Sequence, residues 1–424
     1  MRQWFKPTAP PLQSIERIDL LQAHWQRLGN GVGICRISCD NQPITKMEWL
    51  FRAGRYQEPK RAVASAAAGM LLDGTPGRSQ QEIADYVEYY GATLQADAFA
   101  DYASLTLYAL PRYVKELVPL MTELITEAVY PEAELSLFCR NRKQRLFVEL
   151  QRVEFLAQRA FQQRLYGEGH PLGYAADEAD YDGLSSEDLQ AFRARHYGCG
   201  PFFVLLSGAV DDAHVQLLEQ TVGALPGVGE EEGHGFTAHT QTGPFRIAKD
   251  DALQAALRIG KRMVNRLHPD FSKLLVVNTL LGGFFGSRLM QNLREEHGFC
   301  YGVHSSLVSF RHDAHLIIST EVGREVATAA VEEIYREIHR LRKEPVEAEE
   351  LMLVKNYLMG AMLADTDGAL NTADVYRGLI LYGQSERDFA ERIRQLLAVT
   401  AEEVQRLAQD YLDPEQMVEV AAGI

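Results

Sequence analysis

The chain has 424 residues, 46% of them hydrophobic and 24% charged, and it carries a formal net charge of −15. This length favours two or more domains with their own cores, and the apolar content excludes extensive disorder. The acidic balance disfavours nucleic acid as a partner, because phosphate binding needs clustered Lys and Arg, whereas a cationic peptide would suit the field weakly.

The N-terminal sequence and the cysteines bear on location. Residues 1–14, MRQWFKPTAPPLQS, contain neither an apolar core nor a small-residue cleavage site, so no secretory signal is predicted. No apolar run approaches the ~18 residues that are needed to cross a bilayer. The five cysteines are scattered and form no C-x-x-C pair, which argues against a disulfide framework and a thiolate zinc site. We therefore expect a cytoplasmic protein that does not engage a membrane.

Up to Tyr166, the first half is predicted to contain four helical stretches and a pair of strands. In chain order the elements are an alanine-rich helix at Arg61–Asp73, a helix at Ser79–Tyr90, two strands within Gly91–Leu110, a helix at Pro111–Thr126 and a long helical stretch at Glu132–Tyr166. Ser79 and Glu82 have the spacing of a capping box at the start of the second helix.

The sequence repeats itself on either side of its midpoint. LSSEDLQAF from Leu184 and VTAEEVQRL from Val399 are both capped helices that lead into a strand. Gly91 and Gly298 each stop a helix ahead of two strand-like runs. Between the copies, Ala224–Pro244 is rich in glycine and glutamate and has no apolar periodicity, which predicts a linker.

These patterns predict an α+β fold of two tandem homologous domains. Strands that arrive in hairpin-like pairs, followed by blocks of helix, are typical of a mostly antiparallel sheet with helices layered on one face. We place the first domain at residues 1–223, the linker at 224–244 and the second domain at 245–424.

Three segments carry a resemblance to a known family. MLLDGTPGRSQQEIADYVEYYGATLQADAFADYASLTLYAL (Met70–Leu110), LYGEGHPLGY (Leu165–Tyr174) and GSRLMQNLREEHGFCYGVHSS (Gly286–Ser306) resemble the pitrilysin/insulinase family of zinc metallopeptidases, which includes the mitochondrial processing peptidase. The resemblance covers nearly the whole chain and implies the same duplicated α+β architecture.

The resemblance also implies a zinc motif, H-x-x-E-H, in which two histidines on one helix face bind the metal and the glutamate acts as base. In this chain the five motif positions are Ser65, Ala66, Ala67, Ala68 and Gly69. None of these side chains is a suitable zinc ligand. A further glutamate ligand of the family should fall near Gln144, with Glu149 as the alternative. We expect no metal or other cofactor in this chain and no metal-dependent hydrolysis by the chain alone.

A replacement metal site has little support in the sequence. Leu293–His297 ends like the zinc motif but begins with leucine. His312 and His315 are three residues apart, and on a strand their side chains would point to opposite faces. We predict that these two histidines are solvated or lie at a sheet edge.

The second half keeps the residues that grip the substrate in the family. A helix predicted at Ser287–His297 ends at Gly298, with Arg294 on its last turn and Tyr301 on the following strand. The resemblance implies that Arg294 and Tyr301 hold the substrate backbone and help to polarise the scissile carbonyl. The alternative is that Arg294 pairs with a carboxylate and that Tyr301 fills a core position.

Three functional hypotheses follow. In the first, the chain is the non-zinc-binding subunit of a heterodimeric metalloendopeptidase and is active only with a homologous partner subunit that bears zinc. The peptide substrate would be unfolded and would add as a strand to an exposed sheet edge. In the second, the chain is an inert structural subunit, as the core proteins of the bc complex are. In the third, it is a homodimeric peptide-binding module.

Overall fold

The computed structural model describes residues 15–39, 43–228 and 235–424. Residues 1–14, for which no secretory signal is predicted, lie outside this description, as do residues 229–234 in the middle of the predicted linker. Within the described ranges, no helix is both long enough and apolar enough to cross a membrane.

The first half contains one large sheet, a short hairpin and the helices around them. Its strands are β1 (His24–Arg27), β2 (Gly33–Ser38), β3 (Thr45–Phe51), β4 (Gly74–Thr75), β5 (Arg78–Ser79), β6 (Thr93–Ala98), β7 (Ala103–Ala109) and β8 (Phe203–Gly208). Its helices are α1 (Val63–Gly69), α2 (Gln80–Tyr89), α3 (Val114–Glu127), α4 (Glu132–Glu149), α5 (Val153–Tyr166), α6 (Glu178–Asp182), α7 (Ser186–His196) and α8 (Asp212–Gln220).

The second half contains one sheet and a larger helical layer. Its strands are β9 (Gly243–Ile247), β10 (Gln254–Arg262), β11 (Cys300–Ser309), β12 (Ala314–Gly323) and β13 (Val418–Ala422). Its helices are α9 (Phe271–Asn278), α10 (Ala327–Lys343), α11 (Ala348–Ala364), α12 (Gly368–Leu381), α13 (Glu386–Ala398) and α14 (Ala401–Tyr411), with π-helical segments at Thr279–Gly283 and Met290–Glu296.

The two large sheets share one topology. The first has the strand order β1-β2-β8-β3-β7-β6 and the second has the order β9-β13-β10-β12-β11. The pairs β2–β8 and β9–β13 are parallel, and the remaining pairs in both sheets are antiparallel. Without β1, the first sheet has the order β2-β8-β3-β7-β6, and these five strands match β9-β13-β10-β12-β11 of the second sheet in order and direction. The predicted α+β fold of mostly antiparallel sheets is confirmed, and the shared topology is the one an internal duplication produces.

Local sequence signals fix several helix ends. The hydroxyl of Ser79 accepts the N–H of Glu82 at 3.3 Å, and the Glu82 carboxylate accepts the N–H of Ser79 at 2.8 Å, so the predicted capping box is present. Gly91 and Gly298 have φ angles of +61° and +66°, in the left-handed region that suits glycine.

Two predicted helices differ in extent from those observed. The alanine-rich helix is α1 alone and starts after Ala62, whose φ of +70° is left-handed. The long stretch Glu132–Tyr166 divides into α4 and α5, because Arg152 is extended, with φ −97° and ψ 127°. This break turns α5 away from its own half and onto the second sheet.

Each sheet is covered on its second face by a helix from the other half. All seven residues of β3 are buried, so neither face of this strand meets solvent. Helix α5 of the first half packs against β10 and β13, where Phe161 and Leu165 share a buried cluster with Val418 and Val420. Helix α12 of the second half packs against β2 and β8. The helices of each half thus lie on one face of their own sheet, as predicted, and one helix is exchanged to cover the other face.

A buried ion-pair network joins β3 to α12. The ammonium nitrogen of Lys46 lies 2.7 Å from Asp374 Oδ1, and Arg377 Nη1 lies 3.0 Å from Glu48 Oε1. The side chains of Lys46 and Glu48 are only 6% and 3% exposed. Loss of one partner would leave a charge unpaired away from water, which is strongly destabilising.

The described part of the predicted linker is held against the end of α5. The N–H groups of His239 and Gln241 donate to the carbonyls of Tyr166 and Arg164 at 2.9 and 2.7 Å. The hydroxyl of Thr240 donates to the Leu165 carbonyl at 2.8 Å. These bonds guide the chain along α5 into β9.

Candidate functional site

Arg294 lies on the π-helical segment Met290–Glu296, which replaces most of the α-helix predicted at Ser287–His297. The N–H of His297 donates to the carbonyl of Asn292, five residues back, at 3.0 Å. A π-helical segment is wider than an α-helix and shifts the direction in which later side chains project. Such segments are frequent at functional sites.

The chain then reverses and delivers Tyr301 to the surface. The N–H of Phe299 donates to the Leu293 carbonyl at 2.8 Å, and the left-handed Gly298 lies between them. Strand β11 begins with a bulge, at which Tyr301 and the following residue oppose the single Glu321. Because a bulge redirects a side chain, Tyr301 leaves the sheet and is 92% exposed.

Arg294 is stacked between two exposed aromatic rings. Its guanidinium carbon lies 4.7 Å from the ring centroid of Phe285 and 5.4 Å from that of Tyr301. No carboxylate of the described residues lies within ion-pairing distance of Arg294. The alternative of a paired arginine and a core tyrosine therefore does not describe this geometry. We call Phe285, Arg294 and Tyr301 the Arg294 patch.

Sequence reasoning missed Phe285, which is 62% exposed. The signal was present in LLGGFFG, where two phenylalanines stand in a glycine-rich turn that should carry polar residues. The structure has a turn at this place, between the two π-helical segments.

The π-helical segment that carries Arg294 is hydrogen-bonded to α10, and the residue Arg288 just before it is bonded to α11. Asn292 donates to Glu333 at 3.0 Å and to Glu337 at 2.9 Å, both on α10. Arg288, which precedes the segment, makes two 2.8 Å hydrogen bonds to the Glu350 carboxylate on α11. Charge-assisted and bidentate bonds of this kind fix geometry as well as adding stability. These bonds fix the backbone segment from which Arg294 projects.

The degenerate zinc motif forms α1, beside a cavity of about 380 Å³. Ser65 lines this space, which we call the Ser65 cavity, and the hydroxyl of Ser65 donates to the Ala62 carbonyl at 3.0 Å. Gly69 follows one turn later and is exposed, whereas Ala68 is buried.

The two candidates for the distal metal position fall on different sides of α4. Glu149 lines the Ser65 cavity. Gln144 is exposed and does not line it. Of the two, only Glu149 therefore lies beside the same cavity as Ser65. It is the last residue of α4, within the helical stretch predicted at Glu132–Tyr166.

The residues around the Ser65 cavity do not fit zinc. Alanine and glycine offer no donor atom, and one carboxylate with a serine hydroxyl does not form a zinc site. A Cβ built on Gly69 would lie 3.6 Å from Nη2 of Arg142, so a cation borders the position of a motif side chain. Among the described residues, no group of three or more His, Cys, Asp or Glu side chains is arranged to hold a metal.

The two histidines weighed as alternative ligands behave differently. His312 is exposed, as predicted, and its ring centroid lies 5.4 Å from that of Tyr56. The prediction of a solvated or edge residue is wrong for His315, which is 3% exposed on β12, between β10 and β11. Its Nδ1 lies 2.8 Å from the hydroxyl of Tyr166, and burial lowers its pKa to about 4. Helix α5, which covers this face of the sheet, supplies the partner that makes His315 a satisfied core residue.

The Arg294 patch and the Ser65 cavity are separate features of this chain. None of the patch residues lines the cavity. A guanidinium and a phenol are suitable donors for a developing oxyanion, and the described residues of the first half contain no group of three or more His, Cys, Asp or Glu side chains that could hold a metal beside them.

Comparison with known proteins finds relatives along nearly the whole chain. The profile described as the peptidase M16 inactive domain matches residues 183–358. A Helicobacter pylori protein named non-peptidase homolog YmxG is 25% identical over 335 residues, covering 75% of each chain. Subunit beta of the mitochondrial-processing peptidase of Mus musculus is 24% identical over 422 residues, covering 93% of this chain and 83% of that protein.

Among solved structures, a crystal structure of a peptidase M16 inactive domain from Pseudomonas fluorescens superimposes with a TM-score of 0.87. It is 23% identical, and the match covers 95% of this chain and 98% of the other. This likeness supports the fold described above.

Proposed function

This chain belongs to the M16, or pitrilysin/insulinase, peptidase family, and we propose that it is the non-zinc-binding subunit of a heteromeric metalloendopeptidase. The observation that carries the proposal is the Arg294 patch, a free guanidinium stacked on a 92% exposed tyrosine. An unpaired cation and an exposed phenol at the surface are suited to contact a ligand from outside the chain.

In the proposed complex, a zinc-bearing homologous subunit supplies the metal and the base. This subunit supplies Arg294 and Tyr301, which donate hydrogen bonds to the peptide backbone and to the oxygen on which negative charge develops. A relative that is by name one subunit of a processing peptidase supports the heteromeric arrangement. The five free cysteines support a reducing compartment, and we place the complex in the cytoplasm.

The proposed substrate is an unfolded or extended peptide. Strands β6 and β11 each end the strand order of their sheet, so each has one edge without a strand partner among the described residues. A peptide that adds to such an edge gains main-chain hydrogen bonds, and side-chain pockets then give preference. Strand β11 is the strand that carries Tyr301, so a peptide on its edge would run past the Arg294 patch.

The test is reconstitution with a zinc-bearing homologue that contains H-x-x-E-H, encoded in the same genome. Zinc content, complex formation and cleavage of a quenched peptide are measured for each chain and for the mixture. We expect zinc in the partner only, a stable complex, and cleavage that is much faster in the mixture than in either chain. A partner that cleaves equally well alone, or stoichiometric zinc in this chain, would contradict the proposal.

A second candidate is a catalytically inert structural or peptide-binding role, with the chain as core subunit or homodimer. The name of the Helicobacter pylori relative, a non-peptidase homolog, favours it. The same reconstitution separates the two, because an inert subunit would form a complex or bind peptide without raising the rate of cleavage.

A further inference from the structure

The Ser65 cavity contains an excess of cationic groups. Arg55, Arg142 and Arg145 line it, together with Glu58 and Glu149. Arg145 Nε donates to Glu149 Oε1 at 2.8 Å, so these two side chains neutralise each other. Two guanidinium groups then remain against one carboxyl group, within a chain whose overall charge is strongly negative.

Arg142 stands beside the last position of the degenerate motif. A Cβ built on Gly69 would lie 3.1 Å from the ring of Phe138, over which the guanidinium carbon of Arg142 lies at 4.8 Å from the centroid. No carboxylate of the described residues pairs with Arg142. A guanidinium that stacks on a ring keeps its N–H edge available, which suits bidentate recognition of a carboxylate.

Glu58 presents an unsatisfied oxygen in the same cavity lining. Its Oε2 accepts the N–H of Ala64 at 3.1 Å, whereas its Oε1 is buried and has no hydrogen-bond partner in the described structure. Burial raises the pKa of Glu58 to about 7, with a smaller contribution from Asp180, and the backbone N–H groups of Ala64 and Ala62 and the charge of Arg55 offset only part of this rise. In its protonated form the carboxyl group can donate a hydrogen bond to an anion.

The cavity also lies at the end of an edge strand. Ala98, the last residue of β6, and the adjacent Phe99 both line it. Strand β6 pairs with β7 on one side only among the described strands. A peptide that adds to the free edge of β6 would therefore pass the cavity and offer it a side chain or a terminus.

We infer that the Ser65 cavity binds a carboxylate of an extended peptide, at the place where the family resemblance puts zinc. Arg142 makes the bidentate contact, Arg55 adds a second positive charge, and Glu58 donates from its free oxygen when protonated. The inference rests on the proposed peptide-binding role and adds a substrate preference to it. This preference for a carboxylate arises from the side chains that line the cavity, because the net negative charge of the whole chain would by itself favour cationic peptides.

The test is the affinity of the isolated chain for three labelled peptides of one sequence, measured by fluorescence anisotropy. One is amidated and has a central Glu, the second is amidated and has Gln at that position, and the third has Gln and a free C-terminal carboxylate. The variants are Arg142→Gln, Arg142→Lys and a matched control, Arg140→Gln. Arg140 lies on the same helix, is exposed and does not line the cavity.

For the unaltered chain and for Arg140→Gln, we expect a carboxylate-bearing peptide to bind about tenfold more tightly than the neutral one. If the peptide with the central Glu binds more tightly, the carboxylate that is bound belongs to a side chain. If the peptide with the free C-terminus binds more tightly, it is the C-terminal carboxylate. The ratio should fall to near one in Arg142→Gln and recover in part in Arg142→Lys, which keeps the charge without the planar fork. Circular dichroism checks that each variant is folded.

Two results would overturn the inference. Equal affinity for the three peptides, or a carboxylate preference that survives in Arg142→Gln, removes the carboxylate site and leaves the proposed subunit function intact. Failure of every peptide to bind also removes it, and cleavage by the reconstituted mixture then decides separately whether the proposed function survives.

Discussion

The guanidinium carbon of Arg294 lies 5.4 Å from the ring centroid of Tyr301, across a helix end, a glycine reversal and a strand bulge. An exposed cation–π contact contributes only about 0.5–1 kcal/mol to stability. This is too little to make the pair an important support of the fold. We therefore expect substitution of these two side chains to affect ligand binding rather than the stability of the fold.

Tyr301→Phe should leave stability almost unchanged. The side chain is 92% exposed, so loss of its hydroxyl should alter the free energy of unfolding by less than about 0.5 kcal/mol in urea titrations. Tyr376→Phe is the matched control, because the buried Tyr376 donates to the Leu21 carbonyl at 3.1 Å. The control should cost about 1 kcal/mol. A loss of several kcal/mol at Tyr301 would instead indicate a core role.

Phe161→Ala should destabilise both halves together. Phe161 is fully buried between α5 and the second sheet, and its truncation should cost about 3–5 kcal/mol. All three tryptophans of the chain, Trp49 in β3 among them, belong to the first half, so tryptophan fluorescence reports that half, whereas Phe161 packs against β13 of the second sheet. We expect the fluorescence and circular dichroism midpoints in urea to fall together.

Phe147→Ala provides the control for this substitution, because Phe147 is 62% exposed on α4. It should shift neither midpoint appreciably. A fluorescence midpoint that stays unchanged in Phe161→Ala would show that the exchanged helix does not couple the two halves.

Arg377→Ala should reveal the buried charge of Glu48. Without Arg377, the nearest cation to the Glu48 carboxylate is Lys46 at 3.7 Å. We expect a loss of about 2–3 kcal/mol, below the usual cost of breaking a fully buried pair because the Arg377 side chain is 26% exposed. Arg394→Ala breaks a surface pair with Glu391 and should cost less than about 1 kcal/mol. Equal effects of the two substitutions would refute the buried network.

Glu58→Gln should change how stability depends on pH. The pKa of Glu58 is raised by burial from an ordinary 4.5 to about 7, so the folded state binds more protons than the unfolded state between these values. The stability that this group contributes is present at low pH and is lost as pH rises through about 7. The variant should therefore gain stability relative to the unaltered chain between pH 5 and pH 8, as measured by urea midpoints.

The other charged and titratable groups around Glu58 are present in both proteins, so the difference in stability reports Glu58 and its interactions with them. They are Arg55, Arg142, Arg145, Glu149, Tyr174, Asp180 and Tyr181. A stability difference that stays constant across this pH range would show that Glu58 is ionised at neutral pH and does not act as a donor.

The sequence predicted the features that depend on neighbouring residues. The Ser79 capping box, the glycine stops at Gly91 and Gly298, and the paired strands after each are signals that a few residues carry by themselves. The repeat predicted the duplicated sheet, because the same local signals recur in the same order. The helix end and the glycine stop between Arg294 and Tyr301 are local signals of the same kind, and in the structure the two side chains lie next to each other.

The sequence could not predict features that depend on distant partners. The break at Arg152 and the exchange of α5 follow from apolar surface on the second sheet, which no local pattern reveals. The burial of His315 has the same origin, since its partner Tyr166 lies on that exchanged helix. The bulge that exposes Tyr301 and the position of Phe285 could be recognised only from the backbone geometry, because no pattern of neighbouring residues indicates them.

The most direct test of the central proposal is the value of kcat/KM for peptide cleavage by the reconstituted mixture, with and without the patch. Arg294→Gln should lower it by about 100-fold, the usual cost of removing one donor to a developing oxyanion, and Tyr301→Phe should lower it as well. Arg387→Gln, an exposed arginine on α13, and Tyr89→Phe, an 82% exposed tyrosine on α2, should leave it unchanged. Complexes that form normally but cleave at the unaltered rate with Arg294→Gln and Tyr301→Phe would contradict the account.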